Sequence, residues 1–295
     1  ARVVKKIERW EINLNILGID FEDWFHPELI QKYISKNDDK QPKVVEGIDK
    51  ILELLRKNET NATFFVVGEL LEFKPELLDK ILENDHEIAF HTMEHERIDL
   101  PNRKDQFEEE IKKFSKLTNG KSKGFRAPSF SLNDNSSWLI NILEENNYEY
   151  DSSIVPVKTS MYGMPNAEEK PYKISSNFLD GNSEDAEIIE FPLLVTKFLG
   201  KKIPAAGGFY LRTLPSRIIE NAIKSYEKAG MPGVFYIHSW ELTPEFMPKI
   251  ELPKKDSFIT YHNIDNAYNK MENLLEKFEF TSFTNFIEDN KEKLY

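Results

Sequence analysis

Cysteine is absent from all 295 residues of the chain. Disulfides, thiolate nucleophiles and cysteine-bound zinc are excluded with it, and any metal must be held by histidine, aspartate or glutamate. No stretch of about 18 apolar residues occurs, so no membrane-spanning helix is expected. The opening Ala1-Arg2-Val3-Val4-Lys5-Lys6 carries no apolar segment of signal-peptide length, and a cytoplasmic protein is the plain expectation. Positive charge is in short supply: 39 Lys+Arg face 51 Asp+Glu, a net charge of −12. Nucleic acid and anionic membranes are gripped through clustered positive charge, and the chain as a whole is not built for either. Repeats and low-complexity linkers are missing too, which favours one domain over two.

Hydrophobic residues make up 40% and aromatics 12%, a globular composition. Apolar strand-like runs at 13–20, 62–67, 87–91, 124–127 and 233–238, with a further candidate at 187–191, alternate with amphipathic stretches. Val44, Ile48, Ile51, Leu52 and Leu55 share one helical face; Phe107, Ile111, Phe114 and Leu117 share another, stopped by Asn119-Gly120. Asn133 or Asp134 caps a helix with Trp138, Leu139, Ile142 and Leu143 inward. Pro215 opens another that Gly230 closes, and a last one spans 265–278. Such alternation predicts an α/β fold with a parallel sheet or barrel. Residues 156–192 lack periodicity and read as an insertion within a single domain covering 1–295.

Polar groups gather where the apolar runs end. Asp20, Glu22 and Asp23 close the first run, and His91 closes another, followed by His95. Arg126 follows Gly124-Phe125, and His238 ends the last run. In a parallel α/β barrel the carboxyl ends of the strands share one mouth, so these groups converge there. His91 and His95 form an HxxxH pair, a spacing that lets two imidazoles meet one ion on a helical turn or a tight loop. Two histidines and one carboxylate are a common hydrolytic zinc set with positions left for water and substrate. Each group also has a bland reading. Three carboxylates can be a solvated turn or helix start, Arg126 a structural ion pair, His238 a core histidine, and Phe130 and Trp240 packing. His26, His86 and His262 lack supporting spacing and read as structural, and Glu108-Glu109-Glu110 reads as a solvated face.

Together these features resemble the polysaccharide deacetylase (NodB-homology, carbohydrate esterase 4-like) family. Asp20-Phe21-Glu22-Asp23 looks like its first motif, His91 and His95 like its His-x-x-x-His, Arg126-Ala127-Pro128 like its Arg-x-Pro, and Tyr236-Ile237-His238 like its closing motif. Ala62-Thr63-Phe64-Phe65-Val66-Val67-Gly68 is similar to its second strand, and the resemblance spans about Asn15 to Trp240. Within the family, Asp20–Phe25, Arg126–Phe130, Tyr150–Ser153, Gly207–Arg212 and His238–Glu241 resemble a branch of Helicobacter-type peptidoglycan deacetylases and deacetylases of exopolysaccharide and exosortase loci. The resemblance implies a distorted (β/α) barrel and metal-dependent removal of N-acetyl groups from an amino-sugar glycan. It implies one divalent ion, expected to be zinc, on Asp23, His91 and His95. Glu22 or Asp20 would be the general base, Arg126 its orienting partner and His238 the general acid, with Phe130 and Trp240 facing substrate. Glu22 stands where the general pattern has its base aspartate, and Tyr150-Asp151-Ser152-Ser153 replaces the usual Asp…Trp motif, so the partner of His238 stays open. Open too are ring opening of a cyclic imide or allantoin-like amide, a non-catalytic carbohydrate-binding role, and homo-oligomerisation.

Overall fold

The computed structural model describes residues 14–34 and 40–294; the opening hexapeptide and Asn13 lie outside the described residues. Strand β1 (Leu14–Phe21) is buried on both faces along nearly its whole length, as an unbroken apolar run requires. The others are β2 (Thr63–Val66), β3 (Glu87–Phe90), β4 (Gly124–Phe125), β5 (Tyr150–Asp151), β6 (Tyr172–Lys173), β7 (Ile189–Glu190), β8 (Val195–Phe198), β9 (Lys201–Pro204), β10 (Val234–His238) and β11 (Glu279–Thr281). The main sheet runs β10-β1-β2-β3-β4-β5-β7 with every pairing parallel. Antiparallel β6 forms its outer edge, and β11 pairs with the start of β1. The sheet curls: Leu194, just past β7, donates its amide to the Val234 carbonyl of β10 at 3.0 Å. The fold is a curled parallel half-barrel with helices packed outside.

The amphipathic stretches seat as their patterns dictate. Helix Val44–Lys57 buries Val44, Ile48, Ile51, Leu52 and Leu55, and Arg103–Leu117 buries Phe107, Ile111 and Phe114. Helix Ser216–Ala229 ends on Gly230 in the left-handed conformation, φ 72°. Asn133 caps a short 3-10 turn before helix Trp138–Glu145. The last expected helix is shorter, Ala267–Leu275. β4 stops before the expected 127 because the Ala127 amide bonds the Ser153 hydroxyl (2.8 Å) instead of a neighbouring strand. Residues 156–192 contribute β6 and β7, strands of two residues each, too short to leave a periodic signal.

The barrel floor is an aromatic layer. Tyr150 stacks on Phe283 at 4.8 Å between ring centroids, and Phe65 meets Phe283 edge-on at 5.4 Å. Arg126 lies on this layer, fully buried, its guanidinium carbon 4.0 Å from the Phe65 ring centre. Gly18 makes the room. A Cβ there would sit 2.7 Å from Arg126 Nη1 and 2.8 Å from the Phe65 ring. Gly18 and Asp20 share one face of β1, so the missing side chain lets the arginine pass beneath and reach the aspartate.

Candidate active site

The register of the sheet sets Asp20 beside His238 on β10 and beside Phe65 on β2. Asp20 Oδ1 accepts from Arg126 Nη1 at 2.6 Å. Arg126 spends its other donors on Ser152: Nε on the carbonyl and Nη2 on the hydroxyl, both at 2.9 Å. A planar guanidinium held at three corners gives the Asp20 carboxylate one orientation.

Beyond Asp20 the chain turns tightly, with the Glu22 amide bonding back to the Asp20 carbonyl at 3.1 Å. The turn keeps Glu22 on the mouth side and throws Asp23 outward. Asp23 Oδ1 accepts from the Trp24 amide (2.7 Å), and Oδ2 from the Val44 amide (2.7 Å) and the Lys43 amide. Lys43 and Val44 begin helix Val44–Lys57, so Asp23 caps that helix. The expected ligand set of Asp23, His91 and His95 is therefore not the one assembled: Asp23 is consumed by backbone amides and Glu22 stands in its place. Asp23→Asn should accordingly cost about 0.5–2 kcal/mol of stability, read as a lower thermal midpoint, with metal content unchanged.

Glu22 is almost fully buried, and its Oε2 lies 2.6 Å from His95 Nε2. That oxygen nonetheless lacks a hydrogen-bond partner of acceptable geometry. Its other oxygen accepts from Trp240 Nε1 at 2.9 Å. Burial pushes this carboxyl up, but the imidazoles of His95, His238 and His91 outweigh it and hold the group below the ordinary carboxylate range. His91 pairs its Nδ1 with the Arg126 carbonyl at 2.7 Å. A carbonyl only accepts, so Nδ1 carries the proton and Nε2 presents a lone pair. Burial lowers this imidazole to about 4, so it is neutral. His91 and His95 sit on a tight loop, with Thr92 at φ 62° and His95 at φ 57°. The amides of Gly68 and Glu69 clamp that loop through the Thr92 and Met93 carbonyls, both at 2.9 Å.

Glu22, His91 and His95 each offer one ligand atom, all within 4.8 Å of one another, the one such group of three among the described residues. An orphaned carboxylate oxygen, a free imidazole nitrogen with its tautomer locked, and a second imidazole fit a divalent cation by donor chemistry.

His238 stands on the other side of Glu22, its Nε2 3.7 Å from Oε1. Its Nδ1 is 2.7 Å from Glu241 Oε2, while Glu241 Oε1 accepts from Arg212 Nε at 2.6 Å. Arg212 is itself fixed by the His262 and Ile259 carbonyls (2.6 and 2.8 Å). Burial lowers the His238 imidazole, yet Glu241 and Glu22 more than reverse this and lift it to about 9. The open question of its partner is thus answered by Glu241, three residues on, and not by the Tyr150–Ser153 segment. Neither Glu241 nor Arg212 was singled out as functional from sequence. A signal for Glu241 alone was present, as His238-x-x-Glu241, a capping-box spacing on helix Ser239–Leu242.

Trp240 lines the cleft, stacks flat on His238 (5.1 Å, 14°) and gives its N–H to Glu22, so it also positions two polar groups. Phe130 faces the cleft as well, in contact with Tyr162 and Tyr236. The cleft measures about 260 Å³, with Asp20, Glu22, His91, His95 and His238 at its base. Its walls are mostly apolar, among them Leu29, Phe130, Met161, Tyr162 and Phe209. Gly207 brings Phe209 there: at φ 39° its missing Cβ would lie 1.6 Å from the Tyr236 carbonyl oxygen. Of the histidines read as structural, His26 accepts the Asp23 amide (2.8 Å), meets Glu69 at 2.6 Å and stacks on His95.

Beneath Arg126, Asp151 and Glu190 face each other across β5 and β7, both fully buried. Ser153 donates to Asp151 Oδ1 (2.6 Å) and the Ile154 amide to Glu190 Oε1 (3.0 Å), leaving one oxygen of each without a donor. Burial pushes both carboxyls up, and the Asp151 charge pushes Glu190 further, so the pair keeps one proton between them. A carboxyl raised in the folded state gives its stability fully below the unfolded value, about 4, and loses it as pH rises through the folded value. Glu190→Gln keeps a donor for Asp151 without the proton. Its thermal midpoint should fall less than that of the parent between about pH 5 and pH 8, as calorimetry would show.

Residues 31–150 match the family model described as polysaccharide deacetylase, and residues 152–288 a domain of unknown function (DUF3473). The border falls beside β5, inside the continuous sheet. His91, His95 and Arg126 lie in the first match and Arg212, His238 and Glu241 in the second. Asp20 and Glu22 precede both. A Bacillus cereus peptidoglycan-N-acetylglucosamine deacetylase is 35% identical over 88 residues, 29% of this chain and 33% of that protein. A Sinorhizobium fredii chitooligosaccharide deacetylase is 34% identical over 56 residues, 19% of this chain and 26% of that one. The aligned part thus spans about a third or less of these relatives. Among solved structures, an allantoinase superposes at TM-score 0.59 with 13% identity, covering 96% of this chain and 92% of that one. A "probable polysaccharide deacetylase" of Pseudomonas aeruginosa PAO1 also reaches 0.59, with 12% identity over 97% and 93%. At such identities these likenesses establish the fold. Residues 31–150 are thus similar to the polysaccharide deacetylase family and residues 152–288 to a domain of unknown function, and side chains from both stretches line one cleft.

Proposed function

We propose that this protein is a metal-dependent hydrolase that removes N-acetyl groups from an amino-sugar glycan. One observation carries the reading: the triad Glu22, His91 and His95 lies between a carboxylate held by arginine and an imidazole held by glutamate, at the base of one cleft. Glu22, His91 and His95 would hold a divalent ion, zinc by its donor set, which supplies Lewis acidity toward an amide carbonyl and a water. Asp20 takes the proton of the attacking water, and Arg126 keeps its carboxylate aimed. His238, protonated at neutral pH, gives its proton to the departing nitrogen as the carbon–nitrogen bond breaks. The products are acetate and a free amine. The base role thus goes to Asp20, and Glu22 becomes the carboxylate ligand.

Ring opening of a small cyclic amide in the same site is the second reading, favoured by the modest volume and apolar walls of the cleft. The complete set of polar groups weighs against a non-catalytic carbohydrate binder. Acetate release from a panel of N-acetylated glycans, run beside a cyclic imide and with and without chelator, tests all three. Chelator-sensitive acetate release is expected; ring opening without acetate selects the second reading, and inertness with bound metal the third.

A further inference from the structure

The strands β8 and β9 form a two-stranded hairpin that pairs with no other strand among the described residues. Such a ribbon has little stability of its own, and its tip is costly in water. Leu199, 87% exposed, and Phe198, 39% exposed, stand side by side at the turn. Leu199 also adopts φ 49° and Gly200 φ 77°. The left-handed conformation of a tight hairpin turn favours Asn, Asp or Gly, so a leucine there adds strain to exposure. The pairing register sets Lys197 opposite Lys202, and like charges facing across a ladder are destabilising. Lys202 is partly relieved by Glu169 at 2.7 Å, while Lys197 and Lys201 are exposed.

We propose that this hairpin docks on an anionic lipid surface, inserting Phe198 and Leu199 between headgroups that Lys197, Lys201 and Lys202 contact. Two adjacent apolar side chains ringed by lysines match the layering of such a surface, apolar inside and anionic outside. Two of the unfavourable features would be relieved together and would offset the strain of the turn: the leucine leaves water, and the facing lysines gain anions. The net charge of −12 weighs against a membrane grip by the chain as a whole, but it bears only weakly on this tip. Charges more than about 8–10 Å from the surface are screened at physiological salt, and the hairpin tip alone needs to touch. The inference is independent of the catalytic reading.

Sedimentation with large unilamellar vesicles tests it. Binding is expected to vesicles of phosphatidylcholine with about a third phosphatidylglycerol, absent with phosphatidylcholine alone, and reversed by salt. Leu199→Gly suits the turn conformation and should keep the thermal midpoint while lowering vesicle affinity about tenfold or more. Lys197→Glu and Lys201→Glu should each lower it about fivefold or more. No binding to the anionic vesicles, or equal binding by Leu199→Gly, overturns the proposal. So does a protein dimer in light scattering that Leu199→Gly abolishes, which would make the tip a contact between copies of the chain.

Discussion

Asp20→Asn is expected to leave the protein folded and metal-loaded while lowering acetate release about a hundredfold to ten-thousandfold. Glu22→Gln is expected to release the ion itself. The two carboxylates differ in what surrounds them. Asp20 accepts from Arg126, whose guanidinium is locked by Ser152, so an amide in its place fits the space but takes no proton from water. Glu22 offers an oxygen with no proper hydrogen-bond donor beside two imidazoles. Its replacement by an amide removes the negative charge that balances a cation there. Metal content by elemental analysis and initial rates, measured on both variants, separate the roles. A metal-free Asp20→Asn together with a metal-loaded, inactive Glu22→Gln would reverse the assignment and restore the base role to Glu22.

His238→Ala should cost about a hundredfold to ten-thousandfold on an N-acetyl sugar and much less on an activated acetyl ester in the same cleft. An amine departs poorly without a proton, whereas a good leaving group needs none. Equal losses on both substrates would show that His238 positions substrate instead. The pH dependence gives a second reading of the same group. Glu241 and Glu22 lift the imidazole to about 9, so the acid form persists through neutrality and activity should fall as pH rises past that value. Glu241→Gln removes the first of those carboxylates and should move the alkaline limb of the rate profile to lower pH. Arg212 holds Glu241 in place behind the imidazole through a buried 2.6 Å contact.

Much of this is legible in the sequence. The apolar runs located the main strands because a parallel sheet buries both faces and writes its strands as unbroken hydrophobic segments. Polar residues at the ends of such runs had one place to go, which brought His91, Arg126 and His238 to one mouth from widely separated positions. The absence of cysteine restricted any metal to the donors the structure gathers. What the sequence could not decide was the division of labour among Asp20, Glu22 and Asp23. Alternation along a strand sorts side chains only while the strand lasts, and here the chain turns at Glu22. Asp23 is then claimed by amides of Lys43 and Val44, twenty residues on, a competition visible only once the helix is seated. The partner of His238 was settled the same way. Glu241 was within reach by spacing, but Arg212 comes from another helix, and packing alone puts its guanidinium behind that carboxylate.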